Sequence, residues 1–313
     1  MSAGAPLNRD QFDPGITQSY TGELRRVLNR DGSFNVHRRG WSLKDLHIYQ
    51  LLLSLSWPAF MALILALFVA VNVVFAGLYI AAGLENLAGA QASTHVESVL
   101  NAFFFSVQTL TTVGYGAISP KGITTNAIAS VEAMLGVMGF AFAAGLLYGR
   151  FSRPSARILF SSKALMAPFH DGMSLQFRIA NRRSNAIVNL DATVLLMTVE
   201  WEGGQHKRRY SRLQLERSTV YFLPLTWTIV HPINETSPLL GFNRDQLAER
   251  SAEILVLITG FDDSFNQVVN ARTSFLWNEI VWGARFVPAF HADDRGELVL
   301  DLNKIDDMVP TGL

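Results

Sequence analysis

Charged residues disappear from the chain between Leu46 and Leu84, and nearly disappear again between Gly122 and Gly149, where Glu132 stands alone. Each stretch exceeds the roughly 20 apolar residues that a helix needs to cross a bilayer core. The pattern predicts one membrane helix from about Trp57 to Ala82 and a second from about Thr124 to Arg150. Neither reads as a cleaved leader, because the first lies well inside the chain and is too long. Between them, Thr94-His95-Val96-Glu97 has the S/T-x-x-E form of a capping box. It opens a third helix that ends near Thr109. A helix this short cannot span a bilayer, and it is tolerated at membrane depth only when buried in protein or beside water.

After Pro154 short apolar runs alternate with turn signals, over Ser174 to Ala180, Ile187 to Trp201, Thr219 to Val230, Glu253 to Thr259, Gln267 to Leu276 and Glu297 to Leu302. Gln176-Phe177-Arg178-Ile179 has the period of two expected of a half-buried strand. Glu202-Gly203-Gly204-Gln205 reads as a hairpin turn. The spacing predicts an all-β, immunoglobulin-like sandwich. Asn243 is placed to cap a short helix over Arg244-Asp245-Gln246-Leu247-Ala248.

The region ahead of the first span is polar to about Gly40 and carries a turn cluster, Asp31-Gly32-Ser33. Trp41, Lys44, His47 and Tyr49 are of the types that favour a membrane–water interface. They predict an amphipathic helix lying on the inner surface, with Ser42 as cap and Pro58 redirecting the chain. The other reading makes this segment the first turns of the membrane helix. Three regions result: a segment over 1–40, a helical membrane domain over 41–152, and a β-domain over 153–313.

Basic residues fix an expected orientation. Arg25, Arg26, Arg30, Arg38, Arg39 and Lys44 precede the first span, and Arg150, Arg153, Arg157 and Lys163 follow the second, while only Lys121 lies between. The positive-inside rule puts both termini in the cytoplasm, here of a multi-pass protein of the cell inner membrane.

Composition narrows the chemistry. Lys plus Arg and Asp plus Glu both number 26, so no global attraction to nucleic acid is expected. Cysteine is absent, which removes disulfides and thiolate metal sites. The histidines show no metal-binding spacing, and no phosphate-cradling glycine loop or nucleophile–base arrangement stands out. Lys207-Arg208-Arg209 reads as a solvated turn or an intersubunit salt bridge. No enzyme and no resident cofactor is expected.

The segment between the spans carries Phe103-Phe104-Phe105 and then Thr112-Val113-Gly114-Tyr115-Gly116. A cation sheds water cheaply only where oxygens replace its hydration shell, and successive backbone carbonyls can do so if they face a common axis. That requires backbone angles that Gly114 and Gly116 adopt without a clash. One chain supplies one wall, so the site needs several copies. The pentapeptide resembles the filter shared by potassium channels. Gln108, Thr111 and Glu132 are candidate supports behind it, with Glu132 expected to bond near Thr109 or Thr111. In the second span Phe140, Ala144 and Tyr148 recur every fourth residue and share a face. That face is read either as pore lining, with Tyr148 as a constriction, or as helix packing.

Four segments resemble the bacterial inward-rectifier potassium channels of the KirBac type: Leu28-Asn29-Arg30-Asp31-Gly32, Phe103 to Gly116, Gly149-Arg150-Phe151-Ser152-Arg153-Pro154, and Pro224 to Leu239 with its Trp227, His231, Pro232 and Ser237-Pro238-Leu239. The resemblance covers nearly the whole chain. It implies a homotetramer of this chain with three further copies around one axial pore, a slide helix, and a vestibule of four β-sandwiches. It also implies potassium as the permeating ion and sensitivity to anionic phosphoinositide, for which Arg38, Lys44, Arg150, Arg153, Arg157 and Lys163 are candidates. Plain membrane topology explains the same charges. Two departures stand out. Gln108 occupies a place where the family usually has a carboxylate, and Phe140 occupies the face where strong rectifiers carry an acid. The expected protein is a channel gated near the cytoplasmic end of its second span, with weak rectification. The alternative is a membrane-anchored binding module whose pore does not conduct.

Overall fold

The computed structural model describes residues 14–16, 19–20, 26–37, 39–40, 47–90, 94–152 and 156–311. The chain divides into two compact units, Gly40–Arg153 and a second formed by Met1–Arg39 with Pro154–Leu313. Elements are numbered along the chain, and β1 (Ser19–Tyr20) belongs to the second unit.

The first unit is helical. Helix α1 (Ile48–Ser54) stops at Leu55, whose extended backbone turns the chain, and α2 (Trp57–Ala81) starts after Ser56. The Ser56 hydroxyl accepts the Ala59 amide at 3.4 Å, and Pro58 occupies the first turn, where its missing N–H costs no helix bond. Within the described residues α1 is therefore distinct from the long helix, and the corner lies just ahead of Pro58. The rest of the expected surface helix, residues 41–46 with Ser42 and Lys44, lies outside the described residues.

Helix α2 is apolar on all sides, as a membrane-crossing helix is. A short antiparallel ladder of β2 (Leu87–Ala88) and β3 (Ser119–Pro120) brackets α3 (His95–Leu110). Thr94 caps α3 through the Glu97 amide at 3.2 Å. Helix α4 (Gly122–Phe151) closes the unit. With 25 and 30 residues, α2 and α4 are both long and apolar enough to cross a membrane. Phe75, Ala76 and Tyr79 of α2 pack on Ala102 and Phe105 of α3. A Cβ at Gly136 would overlap the Leu110 carbonyl, so glycine there lets α4 lie directly against the end of α3.

The second unit is a sandwich. One sheet runs β1, β8 (Gln205–Arg212), β7 (Ile187–Glu202), β11 (Glu253–Asp262), β12 (Gln267–Leu276), with β9 (Thr219–Phe222) also on β7. The other runs β10 (Thr226–Ile233), β6 (Gly172–Asn181), β5 (Ala164–Phe169), β13 (Ile280–Trp282), with β4 (Ile158–Phe160) on β6. All these pairs are antiparallel except β13 with β5. Short pairs β14 (Ala284–Phe286) with β17 (Met308–Pro310), and β15 (Phe290–Ala292) with β16 (Leu298–Leu300), follow. Met166, Phe177 and Ile229 from one sheet meet Leu190, Val194, Ile254 and Val256 from the other. Full burial of each such side chain contributes roughly 1.5–3 kcal/mol.

The expected hairpin forms, with Gly203 and Gly204 at φ +63° and +81° between β7 and β8, the primed turn that matches strand twist. Asn243 caps α5 (Arg244–Glu249) in a full capping box with Gln246. Two expectations are corrected. The run from Thr219 to Val230 is two strands on different sheets, β9 and β10, because Pro224 removes a ladder donor at the crossing. The run from Glu297 to Leu302 is a strand only over Leu298–Leu300, after which Asp301 caps a 3-10 turn.

The segment from Arg26 to Phe34 straps onto this sandwich. Val27 and Leu28 bury against Leu195, Met197, Val199, Tyr210 and Leu255, on the opposite face of β7 and β11 from the main core. Glu253, 1% exposed, accepts the Val27 and Leu28 amides at 3.0 and 3.2 Å. Arg26 and Arg30 both pair with Glu279 at 3.0 Å.

Candidate ion-conduction site

The last turn of α3 runs directly into the glycine-containing strip. The Thr112 amide donates to Thr109 O at 3.0 Å, and the Gln108 carbonyl accepts both Val113 N at 3.0 Å and Gly114 N at 3.3 Å. Thr112, Gly114 and Gly116 have φ of +59°, +54° and +78°, whereas Val113 and Tyr115 do not have positive φ. Positive φ thus recurs at every second residue of the strip, and two neighbouring amides, those of Val113 and Gly114, converge on Gln108 O. Positive φ at Thr112, a β-branched residue, is strained, and such strain concentrates at functional sites. Val113 is 52% and Tyr115 78% exposed, so the strip is not covered by its own chain.

Glu132 lies behind α3, and its partners differ from those expected. The Tyr79 hydroxyl donates to Glu132 Oε2 at 2.6 Å, and Ser106 Oγ bonds to Glu132 Oε1. Ser106 Oγ also lies 3.0 Å from Asn72 Oδ1, and Asn72 Nδ2 donates to Phe68 O at 2.7 Å. Asn72, Ser106 and Glu132 are all fully buried, as is Tyr79. Thr109 and Thr111 instead return their hydroxyls to the Phe105 and Val107 carbonyls of their own helix, at 2.9 and 2.6 Å. That local bond is always within reach of a helical threonine. A signal for the missed partners existed: Asn72 and Tyr79 interrupt an apolar helix seven residues apart, on one face.

Phe140, Ala144 and Tyr148 all lie exposed along α4. Phe140 is 78% and Tyr148 76% exposed, but Phe142 at 70% shows that much of this helix is uncovered within one chain. At its end, the Arg150 guanidinium donates to the Leu52 and Leu55 carbonyls, both at 2.7 Å. It also lies 4.8 Å from the Trp57 ring centre and 4.5 Å from that of Phe60. Trp57 meets the Phe151 ring at 5.0 Å. Arg150 thus binds the α1–α2 corner to the end of α4. Arg157 is exposed and Lys163 half-buried, while Arg38, Lys44 and Arg153 lie outside the described residues. No group of three or more metal-ligating side chains occurs among the described residues.

Residues 60–152 match the family model described as an ion channel, and residues 158–311 match the inward rectifier potassium channel C-terminal domain. The inward rectifier potassium channel Kirbac3.1 of Paramagnetospirillum magnetotacticum is 40% identical over 291 residues, covering 90% of this chain and 95% of that protein. The G protein-activated inward rectifier potassium channel 2 of Mus musculus is 26% identical, covering 97% of this chain and 76% of that protein. Channel 4 of the same group from Bos taurus is 27% identical, covering 92% and 73%.

Proposed function

Because the chain belongs to the inward rectifier potassium channel family, a family of membrane ion channels and not of enzymes, we propose that four copies assemble around one axis and conduct potassium selectively. Carbonyl oxygens of Thr112, Val113, Gly114 and Tyr115, with the Thr112 hydroxyl, replace the ion's hydration shell, and Gly116 makes the outer turn. The observation that carries this reading is the alternating φ of that strip, with the Val113 and Gly114 amides held on Gln108 O and no cover from its own chain. Gln108, Thr111 and Glu132 support the strip from α3 and α4. Phe140, Ala144 and Tyr148 line the path, and Tyr148 narrows it by steric block and dewetting.

Both termini lie in the cytoplasm of an inner-membrane protein, following the excess of arginine and lysine outside the inter-span segment. Anionic headgroups modulate the channel through Arg157 and Lys163, together with Arg38, Lys44 and Arg153, each such charge gaining about 1 kcal/mol near an anionic surface. Arg150 has a different part, since both of its Nη atoms already donate to carbonyls of the α1–α2 corner. Phe140 places no negative charge to hold a polyamine or magnesium ion, so rectification is weak.

Purified protein in liposomes tests the proposal. Potassium flux exceeding sodium flux, blocked by barium, is expected. A tetramer that passes neither ion would favour the alternative, a binding module on a closed pore.

A further inference from the structure

The buried polar cluster behind α3 has a proton count that only one protonation pattern satisfies. Four contacts join it: Tyr79 OH to Glu132 Oε2, Glu132 Oε1 to Ser106 Oγ, Ser106 Oγ to Asn72 Oδ1, and Asn72 Nδ2 to Phe68 O. The last one fixes the orientation of the Asn72 amide. The Phe68 carbonyl is acceptor-only, so the group facing it must be the NH2, and the Asn72 oxygen must face Ser106. Ser106 Oγ then sits against two oxygens, Asn72 Oδ1 and Glu132 Oε1, with one hydrogen of its own to give.

If Glu132 were a carboxylate, one of those two contacts would hold no hydrogen. The cluster would also bury a negative charge, with no cation among its four side chains, where the residues are fully buried within a single chain. Such a charge is costly, and buried groups neutralise instead. With a proton on Glu132 Oε1 every contact is filled once. The acid donates to Ser106, Ser106 donates to Asn72, Asn72 donates to Phe68, and Tyr79 donates to the acid's remaining oxygen. Because no side chain of the cluster is exposed, neighbouring copies cannot supply a missing donor.

We infer that Glu132 is a neutral carboxylic acid that serves as the positioning residue of the filter helix, joining α4 through Ser106 to α3 and through Tyr79 to α2. The positioning half of this inference rests on the proposed pore, whereas the protonation half does not. Ser106 lies two residues before Gln108, whose carbonyl holds the Val113 and Gly114 amides. A shift of α3 at Ser106 therefore carries directly into the strip.

Infrared spectroscopy of the full-length protein in lipid reads the protonation. The wild type is expected to show a protonated-carboxyl C=O band near neutral pH that Glu132→Gln lacks. Tyr79→Phe should move that band to higher frequency, because the acid's carbonyl loses its donor. Loss of a carboxylate band in Glu132→Gln, with no carboxylic acid band lost, would overturn the inference. Flux reads the positioning. A glutamine side chain reproduces the pattern, its oxygen accepting from Tyr79 and its NH2 donating to Ser106, so Glu132→Gln should retain the potassium-to-sodium flux ratio. Glu132→Leu should lower it at least tenfold in protein that still assembles. Equal ratios in the two variants would refute the positioning role while leaving the spectroscopic result intact. If the wild type passes no ions, the pore proposal fails and the band still decides the protonation.

Discussion

Arg150 donates to the Leu55 carbonyl at 2.7 Å, so the end of one long helix holds the corner that precedes the other. A second nitrogen of the same guanidinium takes the Leu52 carbonyl, and the aromatic rings of Trp57 and Phe60 lie within 5 Å of it. The planar fork serves two acceptors at once, which an ammonium on a flexible stem does poorly. Arg150→Lys should therefore weaken the corner by about 1–3 kcal/mol despite keeping the charge. The expected outcome is altered basal flux with the response to anionic lipid retained. A lysine variant with wild-type basal flux and lipid response would show that the charge, and not the fork, matters.

Gly114 sits at φ +54°, where an added Cβ costs roughly 1–2 kcal/mol. The cost recurs in every copy of an assembly, at the strip itself. Gly114→Ala should abolish potassium-selective flux while leaving the oligomer intact by size-exclusion chromatography with light scattering. Selective flux of normal size from the alanine variant would contradict the role given to this backbone.

Phe140 is an exposed apolar residue on the proposed pore face. Phe140→Asp should create voltage-dependent block by internal spermine, where the wild type is blocked weakly. The same change at Phe142 is the control, since it points elsewhere on the helix. Equal block from both variants would remove Phe140 from the pore wall.

The strap over the β unit has its own test. Glu253 accepts two backbone amides, Val27 and Leu28, in a site 1% exposed. Glu253→Ala leaves both donors buried without a partner, at roughly 1–3 kcal/mol each. Hydrogen exchange at Val27 and Leu28 should accelerate strongly, with that at Ile254 and Val256 in the main core changing less. Unchanged protection at Val27 would mean that the segment is held by Arg26, Arg30 and the apolar contacts alone.

His231 is 2% exposed, and burial pushes its imidazolium below the usual histidine range. The Gln214 carbonyl takes the proton on Nδ1 at 2.5 Å, leaving Nε2 to accept from the Ser237 hydroxyl at 2.8 Å. With the folded value depressed, the unfolded chain binds the extra proton first, so stability is full above about pH 6.5 and declines as pH falls through that point. Denaturation of the full-length protein followed by tryptophan fluorescence should show this decline. Insensitivity between pH 7 and 5 would mean that the histidine accepts a proton in place.

What the sequence revealed, and what it concealed, follows from where the information lies. The backbone turn at Gly114 and Gly116 was legible because positive φ is a requirement written into residue type. The Gly203-Gly204 turn and the Asn243 cap were legible for the same local reason. The partners of Glu132 were not, because Asn72, Tyr79 and Ser106 come from two other helices and only tertiary packing brings them together. Strand β8 carries no such local mark, since Gln205-His206-Lys207-Arg208-Arg209 has little apolar alternation. The double-sided apolar character of β7, with Leu195 and Met197 facing the strap and Val194 and Leu196 facing the core, became meaningful only once the Val27-Leu28 segment was seen to cover it.

The central claim concerns oxygens on an axis, and anomalous diffraction reads them directly. Crystals of the full-length protein grown with rubidium in place of potassium should show a row of anomalous peaks on a fourfold axis, each enclosed by carbonyls from Thr112 to Tyr115 of four copies. A monomeric arrangement, or a tetramer whose axis carries no such peaks while those carbonyls face away from it, would contradict the account.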